Sequence, residues 1–223
     1  MKEWLIPEAG ADYVCAMEEV LDVYEREYNE DYPVVCLDES PQQLISEVRK
    51  GFEDSKGVKD EDFEYRREGV VDLYMTCEPL AGKREIFVRA SHDRLNYAEI
   101  IRHLAEESYP TAQKITIVED NLSAHKPSAL YEIMSPEQAR RILRRIEFVR
   151  TPKHGSWLNI AEIELSLLKR IGLAKRVGTQ AELEKQIAQY QTQRNAQQKK
   201  VNWQFTTKDT RVKLQRLYPS LDC

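Results

Sequence analysis

Apolar residues follow two rhythms along the chain, helical spacing in some segments and short unbroken runs in others, and these predict its elements. Residues 11–28 set Val14, Cys15, Leu21 and Tyr24 among acids, the spacing of an amphipathic helix that Asp31-Tyr32-Pro33 ends. Residues 34–37 are a run of β-formers closing on Asp38-Glu39-Ser40, a buried strand with acids at its C-terminal end. The charged, glycine-containing stretch 53–62 reads as a loop. Residues 70–77 and 84–89 are strand-like, and Pro79-Leu80-Ala81-Gly82-Lys83 between them signals a hairpin. Ser91 is placed to cap a helix over 92–107 with Leu95, Ala98, Ile101, Leu104 and Ala105 on its apolar side, stopped by Pro110. Residues 115–118 form a second buried strand ending in Glu119-Asp120-Asn121. Pro127 and Pro136 each open a helix at a position that tolerates proline, and residues 147–149 form a third short strand closed by Thr151-Pro152.

The last third reads as helix. Residues 157–171 lead to Gly172, and Thr179-Gln180-Ala181-Glu182 forms a capping box for a polar helix reaching about Asn195. The order is strand, hairpin, helix, strand, two helices, strand, two helices. It predicts an α/β fold: a mixed five-stranded sheet flanked by helices.

Composition narrows the class without choosing a function. A length of 223 residues suits one large domain, or one domain and an extension. No run of roughly 20 apolar residues exists to span a membrane; the stretch 157–171 is interrupted by Asn159, Glu162, Glu164, Ser166, Lys169 and Arg170. Met1-Lys2-Glu3-Trp4 has no apolar segment of the secretory type. Eleven Tyr, five Phe and three Trp supply aromatic area for a core, which argues against disorder. Cys15, Cys36, Cys77 and Cys223 are scattered without a CxxC pair, as free thiols of a reducing cytoplasm rather than a zinc site.

The formal charge of −5 conceals a gradient: −10 over residues 1–40, −2 over 41–150 and +7 over 151–223. Residues 140–176 hold ten bases (Arg140, Arg141, Arg144, Arg145, Arg150, Lys153, Lys169, Arg170, Lys175, Arg176) against three acids. Such a stretch meets the needs of a phosphate backbone and equally those of a solvated helix face.

Neighbouring strand residues point to opposite faces, so Asp38-Glu39 and Glu119-Asp120 each offer one carboxylate to a given site. If their strands lie side by side, two carboxylates converge at the C-terminal edge of the sheet, where ligands bind in such folds. Asn159, Glu162, Ser166 and Lys169 follow i, i+3, i+7, i+10, one polar stripe on an otherwise apolar helix. Glu164 lies on a different stripe with Ile160, Leu167 and Ile171, so Glu162 is chosen as the third acid. Three carboxylates without a histidine cluster suit a hard divalent ion such as Mg²⁺ or Mn²⁺, and paired ions serve phosphoryl transfer. His125 and His154 flank these acids as substrate contacts or as supports that orient them. Lys153-His154-Gly155-Ser156 directly precedes the expected helix, where free N–H groups would hold a phosphate.

The same residues carry a family likeness. Val34-Val35-Cys36-Leu37-Asp38-Glu39, Val118-Glu119-Asp120-Asn121-Leu122-Ser123-Ala124-His125 and Thr151-Pro152-Lys153-His154-Gly155-Ser156-Trp157-Leu158-Asn159-Ile160-Ala161-Glu162 resemble the three acidic blocks of DDE transposases, most closely the bacterial insertion-sequence branch of the mariner superfamily. Val201-Asn202-Trp203-Gln204-Phe205-Thr206-Thr207-Lys208-Asp209 resembles that branch's tail. The resemblance implies an RNase H-like fold in which Asp38, Asp120 and Glu162 are catalytic and bind two Mg²⁺ ions, with Mn²⁺ able to substitute. It implies hydrolysis at a transposon end, then attack of the freed 3′-hydroxyl on target DNA, typically at a TA dinucleotide. Asn121, His125, Lys153, His154, Ser156, Asn159, Lys169 and Arg170 are the expected DNA contacts or supports of the metal ligands. A homodimer on DNA, a bacterial cytoplasm and no membrane association are implied as well.

The expected division is an acidic helical extension over 1–32, the catalytic domain over 33–176 and a helical tail over 177–223. Asp120 and Glu162 are separated by 41 residues, a long spacing that the helix near 136–146 accommodates. Family members carry helix-turn-helix modules before the catalytic domain, and Asp38 comes too early to leave room for them. The chain thus reads as a catalytic half: a second reading frame, a relic, or part of a longer protein. A second reading is a silent remnant that binds DNA or pairs with a full-length transposase; a nuclease or phosphatase on the same scaffold fits the His-Gly-Ser-Trp-Leu-Asn block less well.

Overall fold

The computed structural model describes residues 10–48, 64–173 and 175–219. The expected loop over 53–62 and Cys223 lie outside them. Helix α1 (Ala11–Tyr24) buries Val14, Met17, Val20, Leu21, Val23 and Tyr24 along one side, as its spacing requires. It ends earlier than residue 28: Tyr24 turns its hydroxyl to the Leu158 carbonyl at 2.7 Å, and residues 25–28 lie exposed.

Strand β1 (Val34–Glu47) runs ten residues beyond its apolar start. Its parallel partner β4 (Ile115–Glu119) pairs only with Val34, Val35 and Cys36, whereas antiparallel β2 (Tyr65–Glu78) accompanies it as far as Glu47. Among the described residues no strand pairs with the β4 side of β1 past Cys36, so Pro41 is tolerated and polar side chains follow. A turn through Gly82 (φ +70°) leads to β3 (Lys83–Arg89). A Cβ on Gly82 would stand 2.8 Å from the backbone of Gln198, where the C-terminal segment crosses the hairpin and Val201 N–H donates to the Pro79 carbonyl at 2.8 Å.

Helix α2 (Arg94–His103) is capped by Asp93 rather than Ser91. Asp93 Oδ1 accepts from the amides of Leu95 and Asn96, and Ser91 Oγ braces the cap by donating to Asp93 Oδ2 at 2.6 Å. Residues Leu104–Ser108 widen into a π-turn whose irregular end is satisfied by Arg145, which donates to the carbonyls of Ala105, Tyr109, Pro110 and Ala112. After β4, Pro127 opens a 3₁₀ turn and the short α3 (Leu130–Ile133); Pro136 opens α4 (Pro136–Arg144) behind a Ser135–Gln138 capping box. Then follow β5 (Ile146–Arg150), α5 (Ile160–Leu167), a π-turn (Leu168–Gly172), α6 (Gln180–Ala196) and α7 (Thr207–Lys213).

The strand order is β3-β2-β1-β4-β5, with β1–β3 antiparallel and β1, β4 and β5 parallel: the mixed five-stranded sheet expected. Alternation sorts the strands onto two cores. Cys36, Met75, Val118 and Val149 face α1, α5 and α6, while Val35, Leu37, Tyr74 and Ile117 face α2, α3 and α4. Cys36 and Cys77 are opposed across β1 and β2, yet they and Cys15 are free thiols. Among the described residues no helix is long and apolar enough to cross a membrane.

Candidate active site

Parallel register brings the first two acids together. Cys36 lies opposite Val118, so Asp38 and Asp120, each two residues further, emerge as neighbours on the α5 side of the sheet. Glu39 and Glu119 leave their strands on the opposite side, and Glu39 still borders the cleft at its edge. The third acid is aimed by a cap. Asn159 accepts from the Ala161 amide at 3.1 Å and donates its Nδ2 to the Leu37 carbonyl at 2.9 Å, tying the first turn of α5 to the residue before Asp38. Glu162 lies in that turn. Asp38, Asp120 and Glu162 line one cleft of roughly 320 Å³ with Glu39, Ser40, Ser156, Asn159, Leu165, Ser166 and Lys169. The whole stripe Asn159, Glu162, Ser166, Lys169 therefore faces it. Lys169 is anchored at the rim, its Nζ donating to Ser40 Oγ at 2.5 Å and to the Pro41 carbonyl at 3.1 Å.

The cleft carries an excess of acidic groups. Burial first, then the charge of Glu39, and further those of Asp120 and Glu162, push the Asp38 carboxyl up to about 7. Glu162 Oε2 is buried without a hydrogen-bond partner. Asp120 behaves differently, because the His125 ring beside it holds its carboxyl below the usual range despite burial.

His125 is buried between two carboxylates, Nδ1 3.0 Å from Asp120 and Nε2 3.1 Å from Glu39. Burial disfavours its cation, but the bonds to Asp120 and Glu39 outweigh it and raise the ring to about 10. Glu39, Asp120 and His125 thus bring three ligand atoms within 4.8 Å of one another. With a carboxylate on each ring nitrogen, His125 braces Asp120 against Glu39. The ring stacks on Tyr97 with centroids 4.8 Å apart. Tyr97 in turn donates to Glu119 at 2.9 Å, and Arg150 donates to the His125 carbonyl at 2.8 Å. Pattern alone did not reveal the partnership of Glu39 and His125, which spans 86 residues.

The remaining expected residues divide. Ser156 and Asn159 line the cleft, and Lys153 and His154 are exposed on the turn that leads to it. His154 holds φ +65°, a left-handed conformation, and a Cβ on Gly155 would lie 2.5 Å from Pro152 Cγ. The expected phosphate-binding amides are not at a helix start. Residues Ser156–Leu158 form a 3₁₀ turn, α5 begins only at Ile160, and Asn159 already fills the cap. Asn121 points away, its Nδ2 donating to the Thr151 carbonyl at 2.7 Å and bracing two loops; Arg170 is exposed and outside the cleft lining.

Glu164, on the other stripe of α5, is buried against Arg84. Arg84 Nε and Nη2 each lie 2.7 Å from its carboxylate, Arg194 adds a contact at 3.1 Å, and Arg84 also donates to the Lys199 carbonyl at 2.7 Å. Arg84 was readable only as a strand residue, although it is one of the largest fully buried side chains among the described residues.

Carboxylates from two adjacent strands and a following helix thus line one cleft on a mixed sheet. Residues 33–184 match the model of the DDE superfamily endonucleases, and the chain belongs to that family. It is similar in structure to the Mos1 mariner paired-end complex with Mg (TM-score 0.57, 13% identity, covering 97% of this chain and 64% of that one). The Mos1 paired-end complex with Mn gives a TM-score of 0.56 at 13% identity over 89% and 61% of the two chains, and the Mos1 strand transfer complex 0.53 at 13% over 86% and 57%. At this identity the likeness is one of fold, the RNase H-like sheet of a transposase catalytic region. The chain spans about three-fifths of the length of those Mos1 chains. No curated protein matches it.

Proposed function

We propose that the chain is the catalytic domain of a DDE transposase that cleaves DNA at transposon ends and joins them to a target. The observation that carries this reading is the cleft in which Asp38, Asp120 and Glu162 converge, with one buried glutamate oxygen unpaired and one aspartate driven toward neutrality by burial and then by its acidic neighbours. Three carboxylates that offer only oxygen donors fit a hard divalent ion, and these three side chains would hold two Mg²⁺ ions, with Mn²⁺ as a substitute. When bound, such ions supply Lewis acidity at the reacting phosphate.

The chain's own groups supply placement. Asn159 keeps Glu162 in register with Asp38, and His125 keeps Asp120 ionised and aimed. Lys169 puts a cation at the rim, and Lys153 and His154 extend from the exposed turn toward a DNA strand. In the first step water attacks the phosphorus at the transposon end, the P–O bond to the 3′ oxygen breaks, and a 3′-hydroxyl is freed. That hydroxyl then attacks a target phosphodiester, typically at TA, loses its proton and expels a target 3′-hydroxyl. Joining two ends calls for two copies of the chain in one DNA complex.

The test is Mg²⁺-dependent nicking and strand transfer on transposon-end DNA, comparing the chain with an Asp120→Ala variant. Activity lost in the variant while folding persists supports the reading. Activity that survives Asp120→Ala removes the mechanism, and silence of both proteins in Mg²⁺ and Mn²⁺ favours a remnant that binds DNA without cutting it.

A further inference from the structure

Helix α4 packs Ala139 and Ile142 against the sheet and turns Arg140, Arg141 and Arg144 to solvent. With Tyr131, Pro136, Glu137 and Arg145 they line a shallow open basin. Arg145 is committed to four backbone carbonyls, and Arg141 lies 3.1 Å from Glu106. Among the described residues, Arg140 and Arg144 make no hydrogen bond or ion pair. Pairs of like charge at i, i+4, here Arg140 with Arg144 and Arg141 with Arg145, weaken a helix. The helix dipole favours cations in the last turn, which accounts for Arg144 but not for Arg140. The excess is therefore unexplained by folding.

The face is also separate from the cleft. The Ile115 amide donates to the Arg145 carbonyl at 2.7 Å, so the arginine end of α4 sits where β4 and β5 begin. Asp38 and Asp120 sit just past the other end of the β1–β4 pairing, about 17 Å further along the strands. We propose that the exposed arginines of α4 bind the phosphate backbone of duplex DNA outside the cleft without reading bases. The proposal rests on the reading that DNA is the substrate. Planar guanidinium groups one helical turn apart suit successive phosphates, and the partner they fit is a polyanion of regular spacing.

The experiment is fluorescence anisotropy of the full chain with a random-sequence duplex across a salt series, with a chelator present to prevent cutting. The double variant R140Q/R144Q should bind more weakly and lower the slope of log affinity against log salt by about 1.8, two phosphate contacts' worth. R140K/R144K should restore most of the slope, and K185Q on the outer face of α6 should leave it unchanged. A slope unaltered in R140Q/R144Q overturns the proposal, as does a lysine pair no better than the glutamine pair. Should the double variant fail to fold, R140Q and R144Q singly carry the test at about 0.9 each. An unaltered slope beside Mg²⁺-dependent nicking by the parent chain removes the surface alone. Arginine-dependent binding without nicking removes the nuclease reading alone.

Discussion

Glu164 is enclosed by Arg84 at 2.7 Å and Arg194 at 3.1 Å, whereas Glu162, two residues earlier on α5, faces Asp38 and Asp120 with one oxygen buried and unpaired. The helix thus carries one acid that is fully compensated and one that is not. On the compensated side, burial alone would raise Glu164, yet its arginines hold it below the ordinary carboxylate range. On the other side, repulsion is left standing at a concave surface. The difference separates a fold determinant from a site that is energetically incomplete without a cation.

The largest effects should break this pair apart. Glu162→Gln should cut metal-dependent cleavage by roughly 10³-fold or more, the equivalent of several kcal/mol of transition-state stabilisation, while leaving the denaturant midpoint nearly unmoved. Glu164→Gln should do the reverse at the level of folding, costing about 3–5 kcal/mol because Arg84 is left buried with an unpaired charge. Equal destabilisation by the two substitutions would abolish the distinction.

A smaller, pH-dependent effect belongs to Asp38. Its folded-state value of about 7 lies above the ordinary 3.8, so ionising it costs stability as pH rises from about 4 through 7. With a chelator present, Asp38→Asn should melt higher than the parent at pH 8 by on the order of 1–2 kcal/mol, with the gap closing toward pH 4. A gap independent of pH would show that the cleft does not strain this carboxyl. The smallest effect is the cap. Asn159→Ala should cost about 1–2 kcal/mol, as Thr179→Ala at the start of α6 should cost about 1. Only the first should also depress cleavage, because only Asn159 links the helix to the strand bearing Asp38.

The three acids were legible because each belongs to a short, distinctive segment: two follow apolar strand runs and one lies on a striped helix. Alternation also said that each acid pair splits between two faces, and the parallel register fits that division. What escaped the sequence depends on distant partners. The polar half of β1 carries no apolar rhythm, since its side chains are stabilised by a single neighbouring strand. The match of Arg84 to Glu164 spans 80 residues, and nothing local marks either as buried. Helix α7 did leave a trace, the Thr206–Asp209 capping box, but its apolar content is too small for periodicity to register. The cap expected at Ser91 falls on Asp93, whose carboxylate reaches two amides at once.

Gly82 links the surface to this interior. The C-terminal crossing passes over the hairpin at contact distance only because that position lacks a side chain, and the crossing delivers the Lys199 carbonyl to Arg84. A methyl group there would lift residues 198–201 from the hairpin and deprive a buried guanidinium of an acceptor. The smallest residue of an outer turn thereby governs how well a charge in the middle of the molecule is solvated, and through Glu164 how firmly the helix bearing the cleft glutamate is seated.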